Sequence, residues 1–136
     1  MAKGFQRVDH RPKSKSGWRI FKPATITQRE RIQDKCGSVC FLMPAGTPAR
    51  KGVPAYPICA RLDQTGGQCV LSCPGMEAAY KRLMMGIVHY TYPEGYKAYM
   101  RAAVNRVIRL ARQHADPKDP TNTCNWSLRA SYQRTY

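Results

Sequence analysis

Apolar residues recur at helical spacing in the second half of the chain. Between residues 76 and 89, and again between residues 94 and 115, they return every three or four positions. That spacing places apolar side chains on one face of an α-helix. The pattern therefore predicts two amphipathic helices, with Pro93 ending the first and Asp116 and Pro117 ending the second.

The middle of the chain holds shorter apolar runs that predict strands. Residues 39–43, 56–60 and 68–72 are rich in β-prone side chains and are bounded by glycine or proline, as the strands of a small sheet are. Upstream, Thr27-Gln28-Arg29-Glu30 has the Ser/Thr-x-x-Glu form in which the hydroxyl and the carboxylate cap backbone amides. A short helix is therefore expected to begin there and to end near Lys35.

The two ends of the chain lack any such period. Residues 1–26 are basic and contain glycine and proline without helical spacing, which is typical of an extended arm that lies on a partner. Residues 116–136 are expected to form an irregular C-terminal arm. Between them, residues 27–115 are predicted to form a single small α+β domain, in which cysteines pin a small β-sheet beside the two amphipathic helices.

Composition sets the size of that domain and the sign of its charge. The 136 residues are 43% apolar, enough for one modest core, and carry 23 Lys and Arg against 8 Asp and Glu, a net charge of +15. Such an imbalance opposes compaction by self-repulsion and is relieved by an acidic partner. The partner classes are nucleic acid, an acidic protein surface or an anionic membrane.

The sequence argues against insertion into a membrane. The N-terminal stretch is polar and basic, so we expect no signal peptide there. The longest useful apolar stretch, residues 83–92, covers about half of the length that a bilayer-spanning helix requires. No transmembrane segment is therefore predicted.

Six cysteines leave three chemistries open. Four of them form two pairs with three-residue gaps, Cys36-x-x-x-Cys40 and Cys69-x-x-x-Cys73. These gaps suit a four-cysteine zinc site, but disulfide bonds and buried thiols fit them too. Zinc is the one cofactor that the sequence leaves open. Because the strands are short and need pinning, we expect the first pair to approach Cys59 or Cys73. The cysteines expected to be structural are Cys36, Cys40, Cys59, Cys69 and Cys73.

The second predicted helix carries a one-sided charge. Glu94 is the only acidic residue among its cations, whereas a solvated helix face normally carries both positive and negative side chains. We interpret this excess, which is repeated in the N-terminal arm, as an electrostatic footprint for phosphates or carboxylates; a merely soluble face is the alternative. The basic residues expected to bind a partner are Arg7, Arg11, Lys13, Lys15, Arg19, Lys97, Arg101, Arg106, Arg109 and Arg112.

Two tryptophans are candidate anchors for a partner. Trp18 and Trp126 present flat amphipathic rings, which stack on bases or fill interface pockets. Ordinary packing within the domain is the alternative.

Recognisable catalytic machinery does not occur in the sequence. His10, His89 and His114 show neither His-x-x-x-His nor His-x-Glu spacing, which metal-hydrolase helices use. A nucleophile elbow and a phosphate-binding loop are also missing. We therefore predict no catalytic residue and expect that the protein is not an enzyme.

The central third of the chain carries a recognisable motif. Cys36-Gly-Ser-Val-Cys-Phe-Leu-Met-Pro44 is followed by Tyr56-Pro-Ile-Cys59 and then by Cys73-Pro-Gly-Met-Glu-Ala-Ala-Tyr-Lys-Arg82. This order resembles small basic cysteine-containing virion proteins of large icosahedral DNA viruses of algae and protists, the chloroviruses and their relatives. The cysteines that match the pattern are Cys36, Cys40, Cys59 and Cys73.

The resemblance implies a structural virion protein, a minor capsid component that lies beneath the outer shell and glues neighbouring capsid subunits together. Its partners would be the major capsid protein and other minor capsid proteins, and it could also contact an anionic inner membrane. Its location would be the virion, and the host cytoplasm during assembly. The alternative function is nucleic-acid binding, either as a virion DNA-packing protein or as a ribosomal protein whose arm threads into RNA.

Overall fold

The computed structural model of the chain describes residues 4–10, 17–43, 54–89, 91 and 94–130. Short 3-10 helices cover Ser38–Cys40, Leu62–Gln64 and Thr123–Leu128. Helices and small sheets together form the small α+β fold that the sequence predicts. The longer elements are β1 (Arg7–Asp9), α1 (Gly17–Phe21), α2 (Ile26–Cys36), β2 (Phe41–Met43), β3 (Ala55–Pro57), β4 (Val70–Ser72), α3 (Cys73–His89) and α4 (Glu94–His114).

Helices α3 and α4 supply much of the core, as their apolar spacing predicts. They pack against each other, and buried side chains on both, such as Leu83 and Met100, belong to one apolar cluster. Helix α3 begins at Cys73, before its apolar period does. The Ser72 hydroxyl accepts a hydrogen bond from the Gly75 amide (3.0 Å), which satisfies an otherwise unpaired amide of the first turn.

Helix α2 begins slightly earlier than predicted, because its N-cap is Thr25 rather than Thr27. The Thr25 hydroxyl accepts a hydrogen bond from the Gln28 amide (3.1 Å), and the Gln28 side-chain oxygen accepts one from the Thr25 amide (3.1 Å). The capping pattern occurs twice in this stretch, since Thr27 and Glu30 repeat the spacing of Thr25 and Gln28. The helix ends within one residue of its predicted end, before the turn at Gly37 (φ 87).

The described strands form two small sheets. Strands β2 and β3 pair antiparallel, with Phe41 opposite Pro57, whereas β4 pairs in parallel with β1. The segment after β3 links the sheets, because Cys59 forms an isolated bridge with Leu71 of β4. The three predicted strand regions are therefore found, although the regular strands are shorter than the apolar runs.

The sequence predicts an arm that lies on a partner, but β1 and α1 both pack on their own domain. Val8 of β1 lies opposite Leu71 of β4, and the Gln6 amide donates a hydrogen bond to the Cys69 carbonyl (2.8 Å). Helix α1 packs against α3. The sequence signal of a three-residue strand is weak, and β1 forms because β4 offers an unpaired edge.

The C-terminal segment also packs on the domain, so the expected irregular arm is wrong for the 3-10 helix Thr123–Leu128. This helix contacts both α3 and α4. Asn122 caps it by accepting a hydrogen bond from the Cys124 amide (2.8 Å), and its side-chain nitrogen donates to the His114 carbonyl (2.9 Å). These contacts fasten the segment to the end of α4.

The six cysteines, all within the described residues, pair in disulfide bonds. The Cα atoms of the three pairs are 5.8, 5.2 and 4.8 Å apart. The approach of Cys40 to Cys59 is confirmed. The expectation for Cys36 is wrong, since it pairs with a cysteine outside the two proposed, and the predicted structural set missed Cys124. The pairs are Cys36–Cys69, Cys40–Cys59 and Cys73–Cys124.

Candidate partner-binding cleft

Arg106, predicted to face a partner, is bound within its own chain. Its guanidinium donates hydrogen bonds to the carbonyls of Phe41 (2.9 Å) and Val39 (3.1 Å). Burial lowers the pKa of Arg106 from its ordinary value, and the charge of Arg109 lowers it further. The side chain therefore fastens α4 to the start of β2, and its assignment as a partner-binding residue is corrected.

Arg112 has a similar internal role. Its Nε donates to the Ser127 carbonyl (3.0 Å) and its Nη2 to the Ala130 carbonyl (2.6 Å). Of the other predicted cations on α4, Lys97 and Arg101 are half-buried, and Arg109 is exposed. The basic face of α4 is therefore not the continuous surface for binding phosphates or carboxylates that the sequence predicts. Two of its arginines, Arg106 and Arg112, form hydrogen bonds within the chain.

The predicted cations of the N-terminal segment are dispersed. The Arg7 Nε donates to the Gln68 side-chain oxygen (3.0 Å), which binds β1 to the residues preceding β4. Arg19 lies on α1 and is exposed. The remaining predicted cations, Arg11, Lys13 and Lys15, lie outside the described residues.

The two tryptophans have different surroundings. Trp126 is 7% exposed, and its ring lies on that of Tyr80, with centroids 4.9 Å apart. Its assignment as a partner anchor is corrected, because this ring packs inside its own domain. Trp18 is half-buried and borders a cleft between α1, α2, β3 and α3.

This cleft brings four cations together. It has a volume of about 370 Å³, and two aromatic rings border it together with the cations. None of its described lining residues is acidic. Its aromatic and basic residues are Trp18, Arg19, Lys22, Arg29, Tyr56 and Arg82.

Close packing of α1 against α3 forms one wall of the cleft. A Cβ atom at Gly75 would lie 2.9 Å from the ring of Trp18, closer than side chains approach, so glycine lets the ring rest on α3. The Phe21 carbonyl at the end of α1 accepts a hydrogen bond from the Arg61 amide (2.8 Å). These contacts fix α1, and with it Arg19, at the rim.

Arg29 and Tyr56 also line the cleft. The Arg29 guanidinium donates to the carbonyls of Pro23 (3.1 Å) and Pro54 (3.4 Å), so it ties α2 to the residue before β3. Tyr56 holds a left-handed backbone conformation (φ 57), which costs a non-glycine residue about 1–2 kcal/mol. Such strain persists where packing enforces it and is frequent at binding sites.

The cations in the cleft repel one another. Burial lowers the pKa of the Lys22 ammonium group, and the positive charges of Arg82 and Arg29 lower it further. An anion seated among these groups would be attracted by all of them at once. The arrangement can therefore bind carboxylates or phosphates.

Sequence reasoning identified only part of this site. It singled out Trp18 and Arg19 but missed Lys22, Arg29 and Arg82, because Lys22 follows α1 while the two arginines lie on α2 and α3. Cations at scattered positions give no local signal, and only the packing of α1, α2 and α3 brings them together.

The cysteine pairing removes the zinc alternative. A zinc site needs deprotonated sulfurs, and each cysteine sulfur is bound to another one. Among the residues that the structure describes, no group of three or more His, Cys, Asp or Glu side chains could hold a metal ion.

The comparisons with known proteins add no functional assignment. No protein-family model, curated protein or solved structure matches the chain. Within the described ranges, no helix has the length and apolar character to cross a membrane.

Proposed function

We propose that this protein is a structural minor capsid protein that holds neighbouring capsid subunits together beneath the outer shell of a large DNA virus. The motif within residues 36–82 supports this class, since it resembles small virion proteins of chloroviruses and their relatives. The partners would be the major capsid protein and other minor capsid proteins, bound through their acidic surfaces. The role is structural and involves no catalytic step.

The distribution of the cations carries the proposal. Arg106 and Arg112 bind backbone carbonyls, so α4 does not offer a continuous basic stripe. Arg19, Lys22 and Arg82 line a concave cleft with aromatic walls, together with Arg29, which also binds backbone carbonyls. Single-stranded nucleic acids follow extended basic grooves, whereas protein interfaces seat a few protruding side chains in pockets. The geometry therefore favours a protein partner.

The disulfide bonds suit a protein that persists in a particle. Each disulfide typically contributes about 2–4 kcal/mol by restricting the unfolded chain, and disulfides persist in oxidising surroundings such as the outside of a cell. The Cys73–Cys124 bond joins residues 51 positions apart, so it restricts a long loop. This cross-linking would preserve the folded chain in a particle that leaves its host.

Stepwise dissociation of purified particles tests the proposed function. We expect the chain to stay with the outer shell when the genome is released and digested, and to leave when the shell disassembles. Release of the chain together with the genome, from a shell that remains intact, would overturn the capsid function and favour the nucleic-acid-binding alternative.

The salt dependence of retention is an independent measurement. A protein held by about six phosphate contacts loses affinity by roughly 10³-fold or more between about 50 and 200 mM salt. A capsid interface of about 1,200 Å² or more is also held by apolar and aromatic contacts. We therefore expect the chain to remain bound to shell fragments over this range. Release of the chain from shell fragments with the steep salt dependence of DNA binding would contradict the proposal.

A further inference from the structure

We propose that the cleft between α1, α2, β3 and α3 binds a short acidic segment of a neighbouring protein through its Asp or Glu carboxylates. This inference rests on the proposed function, because it takes the partner to be a protein. It adds the location of the site and the chemistry of the segment that the site recognises.

The size of the cleft limits what can enter it. Its volume of about 370 Å³ is near the lower end of the ~300–1,000 Å³ typical of ligand pockets. Such a space admits a few side chains. A single strand of nucleic acid that covers about 4–16 nucleotides needs a longer groove. The dimensions therefore favour a short protruding peptide segment.

The charged groups are suited to carboxylates. The guanidinium groups of Arg19 and Arg82 present planar forks of N–H donors, which match the two oxygens of a carboxylate. The Lys22 ammonium group supplies a third positive charge in the same lining. Because the described lining has no acidic side chain, an incoming carboxylate would meet no repulsion from it.

The walls favour a peptide over a nucleotide. Pro57, Ala78 and Ala79 line the cleft beside the cations and can pack against the backbone and stems of acidic residues. The six-membered ring of Trp18 rests on Gly75, which leaves less of that ring for a base to stack on. Stacking on aromatic rings is a main source of affinity for single strands.

A peptide titration of the full, disulfide-bonded chain tests this site. The probe is hexaglutamate, and hexaglutamine is the uncharged control, both at one fixed ionic strength. The cleft variant is Lys22→Gln with Arg82→Gln. The matched control variant is Arg31→Gln with Lys118→Gln, which removes the same charge from exposed positions elsewhere.

We expect the cleft variant to bind hexaglutamate roughly tenfold more weakly, because two charged contacts to the same peptide are lost together. The control variant should lose less than about threefold, since exposed charges act weakly through screened solvent. In the NMR spectrum, the indole N–H signal of Trp18 should shift on titration while that of Trp126 stays in place. The unmoved Trp126 signal also checks that each variant is folded.

Several results would overturn the site assignment. One is an equal loss of affinity in both variants, which would mean that binding follows net charge. Another is displacement of the peptide by an oligothymidylate whose own binding is weakened in the Lys22 and Arg82 variant, which would make this a nucleic-acid site. Inorganic phosphate that produces the same Trp18 shift at a lower concentration than the peptide would indicate a phosphate site.

The two proposals can fail separately. If both variants bind the peptide equally but the chain stays with the shell during dissociation, only the cleft assignment is wrong. If the cleft binds hexaglutamate as expected but the chain leaves the particle with the genome, only the capsid function is wrong.

Discussion

Replacing Arg106 with methionine should destabilise the folded protein. Replacing the exposed Arg109, one turn away on α4, should leave its stability nearly unchanged. Arg106 donates hydrogen bonds to the carbonyls of Phe41 and Val39. Methionine keeps most of the aliphatic stem but provides no donor. Both carbonyls would then depend on whatever water can reach them, at the point where α4 meets the start of β2.

The structure gives the size of the effect. A hydrogen bond from a charged donor contributes about 1.5–3 kcal/mol to stability. Arg106 is only half-buried, so water would partly replace the lost donors, and the lower part of that range applies. Removing the repulsion from Arg109, which helps to lower the pKa of Arg106, offsets a little of the loss. The two bonds together should therefore contribute about 2–4 kcal/mol.

Guanidinium denaturation of the disulfide-bonded protein measures this difference. With a slope of about 4 kcal/mol per molar denaturant, the midpoint for Arg106→Met should fall by about 0.5–1 M. Arg109→Met is the matched control, because it removes the same charge from an exposed position on the same helix. Its midpoint should change by less than about 0.2 M, since surface substitutions usually alter stability by less than about 0.5 kcal/mol.

Arg106→Lys separates charge from hydrogen-bond geometry. Lysine keeps the positive charge but lacks the planar fork that reaches two carbonyls at once, so its midpoint should lie between those of the wild type and the methionine variant. Equal midpoints for Arg106→Met and Arg109→Met would refute the reasoning. That result would return Arg106 to the set of residues available to a partner.

Two further predictions concern the C-terminal half of the chain. Replacing both Cys73 and Cys124 with alanine should lower the free energy of unfolding by about 4 kcal/mol, because the bond closes a separation of 51 residues. A loss below about 1 kcal/mol in chemical denaturation would show that the loop is restricted by other contacts. Burial lowers the pKa of His114 from its ordinary value of 6.5, and the nearby charge of His10 lowers it further. The folded state therefore takes up a proton less readily than the unfolded state. Stability from this group should therefore be complete above its ordinary pKa of about 6.5 and should be lost progressively as the pH falls below that value. Unfolding midpoints of the wild type and His114→Gln that decline in parallel would contradict this role.

The sequence alone determined the elements whose signals repeat along many residues. Helices α3 and α4 follow from apolar spacing sustained over several turns, which only one helical face satisfies. Strands β2, β3 and β4 follow from apolar runs bounded by glycine and proline, although their exact lengths depend on which backbone groups find partners. The start of α2 was predicted only to within two residues. Two overlapping capping patterns occur there, and the sequence does not show which of them forms the N-cap.

The pairing of the cysteines was decided by the tertiary structure. Six cysteines allow fifteen connectivities, and spacing does not choose among them. Cys124 is far from the other cysteines in the sequence, yet it meets Cys73 because the C-terminal 3-10 helix packs against α3. A bond over such a separation leaves no periodic signal near either residue.

The roles of the charged residues divide in the same way. Composition alone established a large positive charge, from which we expect acidic partners. It could not separate Arg106, which binds carbonyls of its own chain, from Arg109, which is exposed one turn away. Whether a cation serves the fold or a partner depends on which carbonyls and which other charges surround it. Those neighbours come from distant parts of the chain, so only the packed structure brings Lys22, Arg29 and Arg82 into one cleft.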